Sequence, residues 1–239
     1  MMSFLRRFGR SLRYRLGMRV AVAELEAGDA QSLMAFYRGR LTDCTFLNES
    51  DHYERPRVEW ILSKVHGGRL LEAGCGNGGM TQLLAPRVEH LVALDISTPS
   101  LAALTALGLP NVDVVEGLIE DYNPARLFDC IVMSEVLEHL RRPAEIVARC
   151  VGWLAPGGKL LVTTPNGHWE SNEHLQEFTL DSVAAVLALG GAEAITAEHL
   201  RDTKGRRRWL VGQATVAAQP AILDDFNDRR VIARIRRAR

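Results

Sequence analysis

The chain has 239 residues, 47% apolar and 24% charged, which supports a full hydrophobic core and excludes a globally disordered chain. Its 29 basic and 29 acidic side chains balance, so net charge selects no class of partner. The four cysteines (Cys44, Cys75, Cys130, Cys150) are scattered without metal-type pairing and fit a reducing cytoplasm. No apolar run approaches the roughly 18–20 residues that span a bilayer, and the charged N-terminus lacks the apolar stretch of a secretory signal.

Residues 2–19 alternate arginines with Phe4, Leu5, Phe8, Leu12 and Leu16, a helical period with a basic face. A second helix is expected over about 20–39, and a third from Pro56, with Val58, Ile61, Leu62 and Val65 on one side. The rhythm then changes. Short apolar runs at 69–73, 90–95, 112–115, 128–133 and 159–164 read as strands, and helices fill 79–86, 98–107 and 143–154. The interval from 115 to 128 has room for only a turn of helix. After Pro165 a helix near 179–189 ends at Gly190-Gly191, and strands at about 192–200 and 208–217 flank the turn Asp202–Arg206. The fold expected is α/β: a Rossmann-like, doubly wound, mostly parallel seven-stranded sheet, with an antiparallel terminal hairpin and N-terminal helices. Residues 1–54 form a helical extension, basic at its start, 55–219 the catalytic domain, and 220–239 a basic helical tail.

Leu70-Leu71-Glu72-Ala73-Gly74-Cys75-Gly76-Asn77-Gly78-Gly79 runs an apolar strand into an acid and a glycine-rich turn that opens a helix. Glycine lets backbone approach a ligand where a side chain would clash. Gly74, Gly76 and Gly79 formally satisfy a dinucleotide fingerprint. Glu72, however, would present like charge to a pyrophosphate, whereas it could hold the ammonium of an aminoacyl cofactor. This, with the short chain, argues against an NAD-linked oxidoreductase. Asp95, at the tip of the second strand, can accept both hydroxyls of a ribose.

These stretches, with Phe128-Asp129-Cys130-Ile131-Val132 and Leu154-Ala155-Pro156-Gly157-Gly158-Lys159-Leu160, resemble the successive motifs of class I S-adenosylmethionine-dependent methyltransferases over about residues 55–217. The resemblance implies that Glu72 and the loop through Gly74, Cys75 and Gly76 hold the methionine end of S-adenosylmethionine. It implies that Asp95, with Ile96, holds the ribose and that the stretch after the third strand holds adenine. There the sequence departs from the family: Gly117 is followed by Leu118 and not by an acid, so Leu118 is assigned to the purine face and the Ile119 backbone to a ring nitrogen. Ser134 is counted with the cofactor site. Arg57 resembles an arginine that ubiquinone-type relatives place near the methionine carboxylate, which suits paired donors.

Ser134-Glu135-Val136-Leu137-Glu138-His139-Leu140 follows the fourth strand. On a helix, Glu135, Glu138 and His139 share one face at i, i+3 and i+4, and two carboxylates with an imidazole suit a divalent cation or a general base. The segment resembles the metal-binding helix of ubiquinone-biosynthesis O-methyltransferases and of bacterial small-RNA 2′-O-methyltransferases. In the latter a further histidine completes the site, and His174 matches it better than His168. The expected metal set is Glu135, Glu138, His139 and His174, holding Mg²⁺ or Mn²⁺. His139 and Glu138 are the catalytic candidates, and a metal-free or structural role for the same run is the competing reading.

The function expected is O-methylation of a small or lipid-linked acceptor, a quinone precursor or sugar. The alternatives are metal-dependent RNA 2′-O-methylation and a non-catalytic S-adenosylmethionine-binding protein. The first twenty and last eleven residues carry arginines and no acid, which suits peripheral contact with an anionic membrane face. The tail has no interleaved aromatics and the chain is neutral, so nucleic acid is disfavoured as a partner.

Overall fold

The structure, a computed structural model, describes residues 34–169 and 173–217. The expected basic helix over 2–19, most of the helix over 20–39 and the basic tail fall outside the described residues. Seven strands form one sheet: β1 (Arg69–Ala73), β2 (His90–Asp95), β3 (Val112–Glu116), β4 (Phe128–Ser134), β5 (Leu154–Pro165), β6 (Ala194–Arg201) and β7 (Arg207–Thr215). Their order is β3-β2-β1-β4-β5-β7-β6. The first five are parallel, and β7 runs antiparallel to both β5 and β6. This is the expected Rossmann-like sheet with its terminal hairpin.

Among the described residues, besides the helical stretch 34–39, helices α1 (Arg55–Leu62), α2 (Thr81–Leu84), α3 (Thr98–Thr105), α4 (Pro143–Gly152) and α5 (Leu180–Leu189) pack on it. The central strands β1, β2 and β4 are mostly apolar because both faces are covered, and successive side chains alternate between them. Leu70, Leu91 and Cys130 point to one face and pack with Val58 and Ile61 of α1, Leu84 of α2 and Leu104 of α3. Leu71, Val92 and Ile131 point to the other and pack with Val147 of α4 and Val183 of α5.

Three elements differ from the sequence reading. The helix expected over 79–86 is only the single turn of α2, followed by a 3₁₀ turn, Ala85–Arg87, where Pro86 offers no N–H to continue it. Strand β5 starts earlier, since Leu154 pairs with Phe128 before the chain bulges and resumes at Lys159 opposite Cys130. The third concerns the site. The helix expected after β4 is absent: Glu135 has a left-handed φ of 57°, and only a 3₁₀ turn, Leu137–His139, follows. Among the described residues no helix is long and apolar enough to cross a membrane.

Strand order reverses between β1 and β4, so the crevice for ligands lies at their carboxyl ends. The glycine turn leaves β1 at that point.

Candidate active site

A cavity of about 400 Å³ opens at this crevice. Gly74, Gly76, Asp95, Ile96, Leu118 and Ile119 line it together with Glu135, Val136, His139, Leu140 and Leu175. The Asp95 carboxylate is held there by two backbone donors. Its Oδ2 accepts from the Gly76 N–H and its Oδ1 from the Ser97 N–H, each at 2.8 Å. Gly76 has a φ of 53°, which favours glycine in this turn.

A segment that the motif reading did not single out covers the glycine turn. Cys44 N–H donates to Asn77 Oδ1 at 2.8 Å, Thr42 N–H donates to Ser100 Oγ at 2.8 Å, and Asn77 N–H returns to the Thr42 carbonyl. The strap lies so close that a Cβ on Gly79 would stand 1.8 Å from the Cys44 carbonyl oxygen. Tyr37, Arg40 and Thr42 therefore line the cavity beside the motif residues. No local pattern in 34–45 announces this; only the Asn77 amide, inside the motif, hints at a partner.

Four residues assigned to the cofactor stand behind the cavity wall. Glu72 is buried and accepts from Thr81 Oγ1 at 2.6 Å; burial pushes its carboxyl up to about 8. Cys75 is buried among the apolar side chains of the α1 face. Arg57 is 4% exposed and donates from Nε to Glu54 Oε2 at 3.0 Å, while its Nη1 meets Ser134 Oγ. This is the placement of the residue expected to offer paired donors to a methionine carboxylate. Its donors are engaged by Glu54 and Ser134, and the Ser134 hydroxyl is turned toward Arg57 and Thr163.

The acid-histidine run is also rearranged. The left-handed turn separates Glu135 from the other two. Glu135 Oε1 accepts from Thr163 Oγ1 at 2.9 Å, its backbone N–H from the same residue holds the Thr163 carbonyl, and the Arg57 charge faces its carboxylate. A shared helical face with Glu138 and His139 does not form, and Glu135 stands outside the group that those two make with His174. Instead Glu138, His139 and His174 bring one ligand atom each within 4.8 Å of one another. Leu175 and Gln176 N–H groups bind the Glu138 carbonyl, and this docks His174 beside His139, ring centroids 5.1 Å apart. His168 is engaged elsewhere, 2.7 Å from Glu177 Oε1.

Electrostatics of this cluster follow from burial. Desolvation, then the nearby Glu135, holds the Glu138 carboxyl well above the usual carboxylate range. Desolvation lowers His139, and burial with the His139 neighbour lowers His174 to about 4, so both imidazoles are neutral at physiological pH. Glu138 Oε2 accepts from Thr164 Oγ1 at 2.9 Å, whereas Oε1 is buried with no hydrogen-bond partner among the described residues. His139 Nε2 lies 3.9 Å from that orphan oxygen. A buried acceptor without a partner is costly, and a cation or proton there would satisfy it. The donor set, one carboxylate and two neutral imidazoles, fits a divalent metal ion.

The fold and this cavity define a Rossmann-like methyltransferase domain. The family described as a methyltransferase domain matches residues 51–205, and the chain belongs to it, as a class I S-adenosylmethionine-dependent methyltransferase. Among curated relatives, a ubiquinone biosynthesis O-methyltransferase of Xylella fastidiosa is 34% identical over 119 residues, covering 46% of this chain and 48% of the relative. One of Paracidovorax citrulli is 33% identical over 158 residues, covering 62% and 63%. A probable S-adenosylmethionine-dependent methyltransferase of Mycolicibacterium smegmatis is 39% identical over 107 residues, covering 44% and 41%. The chain spans about half the length of the first curated relatives it matches. Among solved structures, the N-methyltransferase NodS of Bradyrhizobium japonicum with S-adenosyl-L-homocysteine has a TM-score of 0.62 at 22% identity, covering 77% of this chain and 96% of NodS. A 1,6-didemethyltoxoflavin-N1-methyltransferase of Burkholderia thailandensis has a TM-score of 0.65 at 18% identity, covering 79% and 88%. These two share the fold.

Proposed function

We propose that the chain transfers a methyl group from S-adenosylmethionine to a hydroxyl of a small or lipid-linked acceptor, such as a quinone precursor or sugar. One observation carries this reading: a single cavity runs from the glycine turn and Asp95 to His139. The names of the Xylella and Paracidovorax relatives favour an oxygen acceptor.

S-adenosylmethionine supplies an electrophilic methyl on its sulfonium, and the displacement is in line, so the protein has to align two reactants and accept a proton. Asp95 takes the ribose hydroxyls, because each carboxylate oxygen keeps a lone pair after its backbone bond. Gly74 and Gly76 leave room for the methionine moiety, with Glu72 behind them as the acid nearest its ammonium. Leu118 and Ile119 cover the purine. With no ion bound His139, neutral, accepts the proton of the acceptor hydroxyl; with one bound its Nε2 serves as a ligand instead. Glu138, His139 and His174 would hold Mg²⁺ or Mn²⁺, which when bound supplies Lewis acidity to the acceptor oxygen.

Contact of the arginine-rich ends with anionic lipid belongs to the same proposal, each charge near the surface contributing about 1 kcal/mol. A second reading, metal-dependent 2′-O-methylation of RNA, rests on His174 standing in the cluster. A labelled-methyl screen across quinone precursors, sugars and RNA ends, with EDTA and with added Mg²⁺ or Mn²⁺, separates these. Transfer to a phenol or sugar supports the first reading, transfer to RNA alone the second. Adenosylhomocysteine binding without transfer to any class would leave a cofactor-binding protein that has lost turnover.

A further inference from the structure

Tyr37 lies in the helical stretch 34–39, 102 positions before His139, yet its Oη is 2.9 Å from His139 Nδ1. The two rings meet edge to face with centroids 5.7 Å apart. The same Nδ1 lies 3.1 Å from the backbone carbonyl of Glu173. A carbonyl only accepts, so this contact is a hydrogen bond when the imidazole proton sits on Nδ1. Nε2 then carries the lone pair, and it is Nε2 that lies on the Glu138 side of the ring. The Tyr37 hydroxyl shares the Nδ1 proton and turns its own hydrogen toward Glu173 Oε2, 3.4 Å away.

The clamp is braced from the same helical turn. Arg40, three residues on, forms an ion pair with the Glu173 carboxylate. The imidazole is thus gripped on its Nδ1 side by a phenol from the strap and a carbonyl from the loop that carries His174. Tyr37, Arg40, His139 and Glu173 all line the one cavity. The bonds to Nδ1 come from outside the acid-histidine run, from Tyr37 and Glu173.

We propose that Tyr37 is a positioning residue for His139: the strap completes the active site by fixing the imidazole in one orientation, with the lone pair on Nε2 and free to meet the acceptor hydroxyl. This rests on the reading of His139 as the group that meets that hydroxyl. A misplacement of about 1 Å at a reacting group costs up to about 10²-fold in rate, and losing one of two clamps is a smaller fault.

The test uses the full chain, with Tyr37→Phe, His139→Ala and the double variant, in labelled-methyl transfer at saturating S-adenosylmethionine. Tyr37→Phe removes one oxygen and keeps the ring packing. It is expected to lower kcat about tenfold and to leave adenosylhomocysteine affinity within about twofold. The double variant should lose no more than His139→Ala alone, because the phenol acts through a ring no longer present. Unchanged kcat in Tyr37→Phe, or losses that multiply in the double variant, would overturn the proposal while leaving the His139 reading intact. Normal turnover in His139→Ala would overturn both. A second readout needs no acceptor: in long-range ¹H–¹⁵N spectra of the adenosylhomocysteine-bound protein, Tyr37→Phe should shift the His139 Nδ1 resonance. A resonance that stays in place overturns the proposal too.

Discussion

The backbone N–H of Gly76 donates to the Asp95 carboxylate across 2.8 Å, tying the turn after β1 to the tip of β2, 19 residues on. The bond holds the acid at the crevice and leaves acceptor capacity for a ribose. Asp95→Ala removes both and strands two backbone N–H groups, those of Gly76 and Ser97. Adenosylhomocysteine affinity is expected to fall at least about tenfold, or about 1.4 kcal/mol, by calorimetric titration. Equal affinity in a folded Asp95→Ala protein would remove this residue from the cofactor site.

Gly79→Ala tests the strap. The added Cβ would stand 1.8 Å from the Cys44 carbonyl, which must move, whereas a Cβ on Gly39 meets nothing within 4 Å. Gly79→Ala is expected to weaken adenosylhomocysteine binding and to speed thiol-reagent labelling of Cys44. Cys75, Cys130 and Cys150 are buried, so the labelling reports the strap. Gly39→Ala should change neither, and equal labelling rates in the two variants would contradict the close approach.

Glu72 predicts a pH dependence of stability. Burial raises its carboxyl from 4.5 to about 8. Between these values the folded chain keeps a proton that the unfolded chain has released, so stability falls as pH rises through the window. Glu72→Gln cannot titrate and can still accept from Thr81. Its Tm should therefore drop less than the wild type between pH 5 and 8, and parallel melting profiles would count against the assignment.

Much of the fold follows from local pattern. Leu70 and Leu71 are both fully buried, one on each face, which is why β1 reads as an unbroken apolar run. The spacing of Glu135, Glu138 and His139 misleads for a physical reason. It imitates a helical face, but the Thr163 carbonyl takes the Glu135 N–H and holds a left-handed turn that no helix can start from. The burial of Arg57 had a signal that went unweighed: Glu54 stands at i−3 on the same helix entry. Tyr37 had none, because its contact with His139 exists only once the strap has folded over the sheet.

Glu138 and the two histidines predict how a metal acts. If they hold a divalent ion, EDTA should abolish turnover and leave adenosylhomocysteine binding nearly intact, and added Mg²⁺ or Mn²⁺ should restore it. Glu138→Ala and His139→Ala should each lose about 10²-fold or more in rate, and the pair little beyond that, since one site fails as a unit. Full activity in EDTA with a disabled His139→Ala enzyme would make the imidazole a metal-free base.

The most direct test of the account is labelled-methyl transfer from S-adenosylmethionine to the hydroxyl acceptors of the screen, run on wild type and His139→Ala with adenosylhomocysteine affinity measured in parallel. The account predicts turnover in the wild type, loss of about 10²-fold or more in the variant, and affinities within about twofold of each other, because cofactor binding and catalysis are assigned to different residues. Transfer that proceeds equally well without the imidazole would contradict it.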